Sequence, residues 1–184
     1  QPALGRLFKQ LAPTLVQHEI APDPDELFDC FRRVSFCREG VFTPEKLAER
    51  LTETAQVLCI VNTRKRARQV YESLPEEGRF HLSTLMIPTD REKTLNAIRT
   101  RLQNGQTCRV VSTSLVEAGV DVDFPSVWRE LAGLDSILQA AGRCNREGKR
   151  SAAESVVHVF ETEGKFPTSM IQQREATTKV MGDF

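Results

Sequence analysis

Val57-Leu-Cys-Ile-Val61-Asn-Thr63-Arg-Lys-Arg-Ala67-Arg-Gln-Val70-Tyr71 joins an unbroken apolar run to a helical repeat. Five consecutive apolar residues, Val57 to Val61, form the pattern of a strand buried on both faces, as parallel sheets require. Asn62-Thr63 then offers a helix N-cap, and Ala67, Val70, Tyr71 and Leu74 recur at helical spacing on one side. Pro75 and Gly78 close that helix. A strand followed at once by a helix is the repeating unit of a parallel α/β sheet.

Working outward, the same alternation continues in both directions. Phe80 to Leu82 reads as a strand, and a helix from Asp90 turns Leu95, Ile98 and Leu102 inward until Asn104-Gly105 stops it. Cys108 to Ser112 is the next strand and Val127 to Leu131 another. Asp135 to about Cys144 is a helix and Ser155 to Phe160 a final strand. Upstream, Arg32 to Phe36 reads as a strand and Thr43-Pro44-Glu45 as a helix start with Pro at the first helical position. The predicted class is α/β, in the order β-α-β-α-β-loop-β-α-β. Residues 1–30, with Pro at 2, 13, 22 and 24, are expected to be a connector, 31–160 the folded lobe, and 161–184 an extension.

The charge balance conceals a partition. Over the 184 residues, 25 basic side chains match 25 acidic ones, which gives no general case for a polyanionic partner. Residues 57–111, however, carry 10 basic and 5 acidic side chains. No apolar run approaches the roughly 20 residues that span a bilayer, and Gln1 opens no charged-then-apolar leader; the expectation is a cytoplasmic protein with no membrane partner. Gln1 in place of an initiator Met suggests an excised or processed piece. Five cysteines without a C-x-x-C pair read as reduced thiols, with neither disulfide framework nor metal site.

Several chemistries are absent. No two of the ten glycines have the spacing of a phosphate loop or of a dinucleotide fingerprint. Asp25-Glu26 follows two prolines instead of a strand and so makes a poor acidic Mg²⁺ box, and no His-Asp pair suggests a metal nuclease. Three clusters remain, each expected just beyond a strand end, where open α/β sheets place their working residues. Gln139-Ala-Ala-Gly142-Arg143-Cys-Asn-Arg146 carries two arginines expected on one helical face, able to hold phosphate oxygens, with Gly142 admitting a neighbouring backbone. Four fixed positions recur by chance in about one chain in a thousand of this size.

The second cluster runs from Val111 to Pro125: Ser112, Thr113 and Ser114 can hold a phosphate, and Gly119 turns the chain toward Asp121, whose carboxylate can accept from a ribose hydroxyl. The same hydroxyls also read as an N-cap. The third is Asn62-Thr63 with Arg64, Lys65, Arg66 and Arg68, a helix N-terminus with basic neighbours that suits a backbone phosphate; it reads equally as a capped helix with a basic exposed face. Ser83, Thr84 and Arg91 repeat the theme.

At these residues the chain resembles the second RecA-like lobe of a superfamily 2 helicase, and more specifically the C-terminal helicase lobe of the CRISPR-associated helicase-nuclease of type I systems. Val61-Asn62-Thr63 is similar to the first motif of that lobe, Val111 to Pro125 to its fifth, and Gln139 to Arg146 to its sixth. His81-Leu-Ser-Thr84 and Trp128-Arg129-Glu130-Leu131 also look like that family. The resemblance covers about residues 30–160. It implies a three-layer RecA-like domain with a mostly parallel central sheet and no phosphate loop of its own.

The resemblance further implies that ATP and Mg²⁺ are held mainly by an N-terminal RecA-like lobe of the same protein. Arg146 would be the arginine finger, Arg143 a second phosphate ligand, and Gln139 a neighbour of the attacking water. Gly119 and Asp121 would touch the nucleotide. Asn62, Thr63, Arg64, Ser83, Thr84, Ser112 and Thr113 would grip single-stranded DNA, and a CRISPR RNA-guided surveillance complex would be a further partner. This chain alone would not hydrolyse ATP. The rival readings are an RNA helicase or other superfamily 2 translocase lobe, a stand-alone nucleic-acid-binding module, and a small-molecule α/β enzyme. The last is disfavoured because the sequence offers no nucleophile, metal cluster or dinucleotide loop.

Overall fold

The computed structural model describes residues 22, 23, 26, 32–114, 120–164 and 170–181. The chain divides into two compact units, Gln1–Arg32 and Arg33–Phe184. In the first, most of the expected connector lies outside the described residues; within it Glu26 N donates to Asp23 Oδ1 at 3.0 Å.

The second unit is an α/β layer structure. Its described elements are β1 Ser35–Phe42, α1 Pro44–Thr52, β2 Gln56–Ile60, α2 Arg64–Ser73, β3 Arg79–Leu82, α3 Pro88–Gln103, β4 Cys108–Ser112, β5 Ser126–Glu130, α4 Leu134–Ala141, β6 Val156–Thr162 and α5 Ile171–Met181. The strands form one sheet in the order β1-β6-β5-β2-β4-β3, with every pairing parallel. Chain direction across the sheet reverses at β2: from there the path runs first toward β3 and β4, then returns to β5 on the other side.

Alternation along the strands sorts the core into two layers. Leu58, Ile60, Val110, Val127 and Val157 face α3 and α4, packing on Leu95, Ile98 and Ala140. Val57, Cys59, Val61, Val111, Trp128 and Phe160 face α1 and α2, packing on Leu47, Leu51, Ala67 and Val70. Both sides of the central strands are therefore dry, which is why Val57 to Val61, through β2, reads as an unbroken apolar run. Burial pushes the Cys108 and Cys144 thiols up to about 12 and the Cys59 thiol higher still, so all three are uncharged core groups.

Local chemistry fixes the helix starts. Thr43 Oγ1 accepts from Lys46 N at 3.3 Å ahead of Pro44, and Thr63 Oγ1 accepts from Arg66 N at 3.3 Å. Gly78 ends the turn into β3 at φ +69°, and a Cβ there would come within 2.3 Å of the Thr107 carbonyl oxygen, so only glycine fits. The structure departs from the sequence reading at one sheet edge, where β1 starts at Ser35 instead of Arg32, and near the C-terminus. β1 continues to Phe42, because the polar Arg38, Glu39 and Gly40 of an edge strand hide its period. The proposed extension contains α5, whose weak periodicity escapes notice.

Candidate functional site

The polar residues singled out in the sequence gather at two opposite edges of the sheet, not at one. Asn62, Thr63, Ser83, Thr84, Ser112 and Thr113 follow β2, β3 and β4 at the carboxyl edge. Asp121, Arg143 and Arg146 stand at the amino edge, beside the start of β5, where Phe124 bridges to Cys144. The expectation that all three clusters lie beyond strand carboxyl ends is corrected for this last group. The helix α4 runs back antiparallel to β5 and delivers its C-terminal turn to the other edge.

At the carboxyl edge the organising group is Glu130, the last residue of β5, with no exposed surface. Its carboxylate accepts from Asn62 N, Arg66 Nη1 and Thr162 Oγ1, each at 2.6 Å. The preceding Arg129, also buried, donates from Nη1 to Asn62 Oδ1 at 2.7 Å and to the Glu130 carbonyl at 2.8 Å. Asn62 Nδ2 donates to the Leu131 carbonyl at 3.0 Å. The β2–α2 turn is thus tied to β5 and β6 by charge-assisted bonds in a dry setting, where such networks rigidify what they hold.

This network changes the roles available to the predicted residues. Arg66 is not part of an outward basic face: it points inward to Glu130 and donates to the Glu163 carbonyl at 3.1 Å. Arg68 is paired at the surface with Glu72. Arg64 and Lys65 are exposed at the first turn of α2, where the N–H groups of a helix start face outward. Ser112 is fully buried, its Oγ within 3.1 Å of the Leu82 carbonyl and 2.9 Å of the Thr113 carbonyl, so it pins β4 to β3 instead of reaching a phosphate. Thr113 and Ser83 are also buried, and Ser83 Oγ accepts from Leu85 N; Thr84 is exposed. Gly119 lies outside the described residues.

At the amino edge, α4 ends at Ala141 and Gly142 caps it. Arg143 and Arg146 therefore occupy a turn, not one helical face, because Asn145 adopts a left-handed conformation at φ 47°. A Cβ at Gly142 would meet only carbonyls of its own helix, Gln139 at 3.3 Å and Leu138 at 3.7 Å, so no neighbouring backbone uses the space. Gln139 is exposed on the last turn of α4.

The turn is held from all sides. Phe124 N donates to the Arg143 carbonyl at 2.9 Å and Asn145 N to the Phe124 carbonyl at 3.0 Å. Asn145 Nδ2 donates to the carbonyls of Arg33 at 2.8 Å and Arg150 at 2.7 Å, while Oδ1 accepts from Arg150 N at 3.0 Å. Asp123 Oδ1 accepts from Arg146 N at 2.7 Å.

Replacing Asn145 with alanine removes these side-chain bonds and leaves a left-handed alanine. A loss of about 2 kcal/mol is expected in a urea melt. Asn145→Gly should recover only the backbone part of that loss, and equal stability of both variants with the parent chain would contradict the assignment.

The Arg146 side chain is held more loosely. Its Nη1 meets Asp121 Oδ1 at 2.6 Å with side chains 42% and 75% exposed, and an ion pair so open to water is worth at most about 1 kcal/mol. Beside it opens a cleft of about 360 Å³, whose charged lining is Arg99, Lys149 and Arg150 against Asp121, Asp123 and Glu147. Arg150 pairs with Asp123 at 3.4 Å. Lys149 pairs with Glu147, so the charges of the cleft balance, and a phosphate entering here gains donors by displacing carboxylates; the exposed Asp121 leaves Arg146 at small cost.

Residues 53–149, just over half of the chain, match the family described as CRISPR-associated nuclease/helicase Cas3, C-terminal. A CRISPR-associated helicase Cas3 of Thermoproteus tenax is 28% identical over 146 residues, 77% of this chain and 24% of that protein. Among solved structures, T. fusca Cas3 with AMPPNP superposes with a TM-score of 0.66 at 19% identity, covering 95% of this chain and 23% of that one. A chain of a CRISPR RNA-guided surveillance complex in a pre-nicking state gives 0.62 at 19%, covering 96% and 24%. The C-terminal domain of the DEAD-box protein Dbp5 gives 0.61 at 15% identity, covering 83% of this chain and 88% of that domain. The fold is that of a C-terminal RecA-like lobe, and the chain spans about a quarter of the length of the Thermoproteus relative.

Proposed function

Because the chain belongs to the family of Cas3 C-terminal regions, we propose that it is the second motor lobe of an ATP-dependent superfamily 2 DNA helicase or translocase of CRISPR interference, acting in the cytoplasm. The observation that carries this reading is the arrangement of Arg146 on a rigid turn, in an exposed ion pair that a phosphate can displace, beside an open cleft of mixed charge at the sheet edge opposite the turns proposed to meet nucleic acid. Hydrolysis of a phosphoanhydride is governed by positioning and by charge stabilisation at the transferring group.

In this reading ATP binds between two lobes. Arg146 leaves Asp121 for the γ-phosphoryl oxygens, Arg143 and Arg150 add positive field, and Gln139 stands near the attacking water. Asp121, released from Arg146, accepts from the ribose. Asp121 and Asp123 are both paired with arginines in this lobe, a donor set ill suited to a divalent cation, so Mg²⁺, which screens the β- and γ-phosphates, belongs with the N-terminal lobe. At the carboxyl edge the α2 N-terminus with Arg64, Lys65 and Thr63, together with Thr84, contacts the phosphates of single-stranded DNA without reading sequence. Glu130 and Arg129 hold Asn62 and that turn in place. The surveillance complex delivers the strand.

Two outcomes test this. The 184-residue chain alone should show no steady ATP turnover, and turnover that Arg146→Ala abolishes in the isolated chain would overturn the two-lobe reading. In the complete protein, Arg64→Ala and Lys65→Ala should each flatten the salt dependence of single-strand binding by about one unit of log–log slope. An unchanged slope would remove these side chains from the interface.

A further inference from the structure

One cluster away from both edges has no part in motor chemistry. Cys37 and Glu39 lie on β1, which is the outermost strand of its side of the sheet, and His158 lies on β6. Cys37 is the register partner of His158, and His158 of Trp128 on β5. Register partners in a parallel sheet share a face, so these three side chains stand in a row. The His158 ring stacks on the Trp128 indole with centroids 4.4 Å apart and planes 14° from parallel, which fixes the plane of the imidazole. Between Arg38 and Val41 the register slips by one residue, and such a bulge re-aims a side chain. Here Glu39 is brought to His158, Oε1 to Nδ1 at 2.8 Å.

The donor atoms Sγ of Cys37, a carboxylate oxygen of Glu39 and a ring nitrogen of His158 all lie within 4.8 Å of one another. Cys37 Sγ stands 3.6 Å from Glu39 Oε1 and 4.0 Å from its nearest carbonyl, the latter a poor partner for a thiol. Burial and the Glu39 charge raise the Cys37 thiol above its ordinary value, so the proton is retained until a stronger acid replaces it. Tetrahedral zinc, with Zn–N near 2.0 Å and Zn–S near 2.3 Å, needs donors about 3.3–3.5 Å apart. The sulfur–oxygen separation already meets this, and the Glu39–His158 pair must open by about half an ångström.

We infer that Cys37, Glu39 and His158 form a site for a thiophilic divalent cation of the zinc class, three protein ligands with the fourth position open to water on the exposed side of Cys37. Thiolate, carboxylate and neutral imidazole together carry two negative charges, which a divalent ion neutralises, and the set excludes magnesium and calcium, which take oxygen donors. Binding transfers the Cys37 proton to water. The ion clamps β1 to β6 and so locks an edge strand, which otherwise presents unpaired backbone groups to any passing strand. Cysteine spacing alone gives no hint of this site, because the ligands are 37, 39 and 158 and only the β1–β6 register unites them.

Cobalt(II) reads this geometry directly. Titrating Co²⁺ into the reduced 184-residue chain should produce a thiolate-to-cobalt charge-transfer band that saturates at one equivalent and is displaced by Zn²⁺. The band should be lost in Cys37→Ser, an exposed near-isosteric change that leaves the fold intact by circular dichroism, and should need higher Co²⁺ in Glu39→Gln. Zn²⁺ should raise the Tm of the parent chain and leave that of Cys37→Ser unmoved. Absence of the band in the parent chain, or its survival in Cys37→Ser, overturns the site.

Discussion

Replacing Arg146 with alanine in the complete protein is expected to lower kcat for ATP by roughly 10³-fold or more, the range found when an arginine finger is removed, with KM changed only a few-fold. Among the described residues two other guanidinium groups stand near it, and each is engaged. Arg143 lies on the same turn, but its Nη1 is directed to the adjacent Gly142 carbonyl at 3.3 Å, and Arg150 is oriented by Asp123. The turn should survive the substitution: Arg146 N remains bonded to Asp123, and the Arg146 carbonyl still accepts from Arg33 Nη1 at 2.8 Å. Losing an exposed partner of Asp121 costs at most about 1 kcal/mol of stability. The measurement is steady-state ATPase with single-stranded DNA at saturation. A variant retaining more than about a tenth of parental kcat would remove Arg146 from the transferring phosphoryl, since one charge-assisted contact to the transition state is worth at least that much.

The second large effect falls on the fold. Glu130→Ala deletes a carboxylate that three donors share at 2.6 Å, leaving the Arg66 guanidinium, 12% exposed, without its ion-pair partner. Breaking one side of a buried pair costs about 3–5 kcal/mol, against total stabilities of about 5–15 kcal/mol for natural domains. At about 2–4 °C per kcal/mol for a chain of this size, Tm should fall by roughly 6–20 °C. Glu130→Gln keeps the shape and one acceptor and should fall between. A double change to apolar residues, Glu130→Leu with Arg66→Met, removes both charges and should recover part of the loss. Thermal melts of the 184-residue chain decide it; a shift under about 2 °C for Glu130→Ala would show that the network carries little stability.

How much of this was readable in the residues depends on the kind of signal. The strand buried on both faces, β2, announces itself because Val57 to Ile60 admit no polar residue on either side. β1 reads short because its solvent side and its bulge interrupt the alternation. The arginines of the Gln139–Arg146 segment stand out by spacing, but their disposition does not. A helical reading carries the period through Gly142, and only the left-handed Asn145 shows that the chain has already turned.

Buried polar roles are the hardest to see. Ser112 looks like a phosphate hydroxyl and is a strand clasp; Arg66 looks like a surface base and is an internal cation. The one available hint was Arg129-Glu130 at the end of an apolar strand in the middle of the sheet, where two adjacent charges need partners inside. Gly119 lies outside the described residues, so its expected nucleotide contact stays a proposal.

Strand β5 has a further consequence. Asp123 and Phe124, which seat the arginine turn, immediately precede it, and Glu130, which seats the Asn62 turn, is its last residue. Five residues at about 3.3 Å each make a strut of roughly 17 Å, braced by β2 on one flank and β6 on the other and dry on both faces. An extended, fully bonded strand hardly compresses along its axis. The two ends of the lobe are therefore coupled through β5, and a push on the Asn62 turn reaches the arginine turn with little internal deformation.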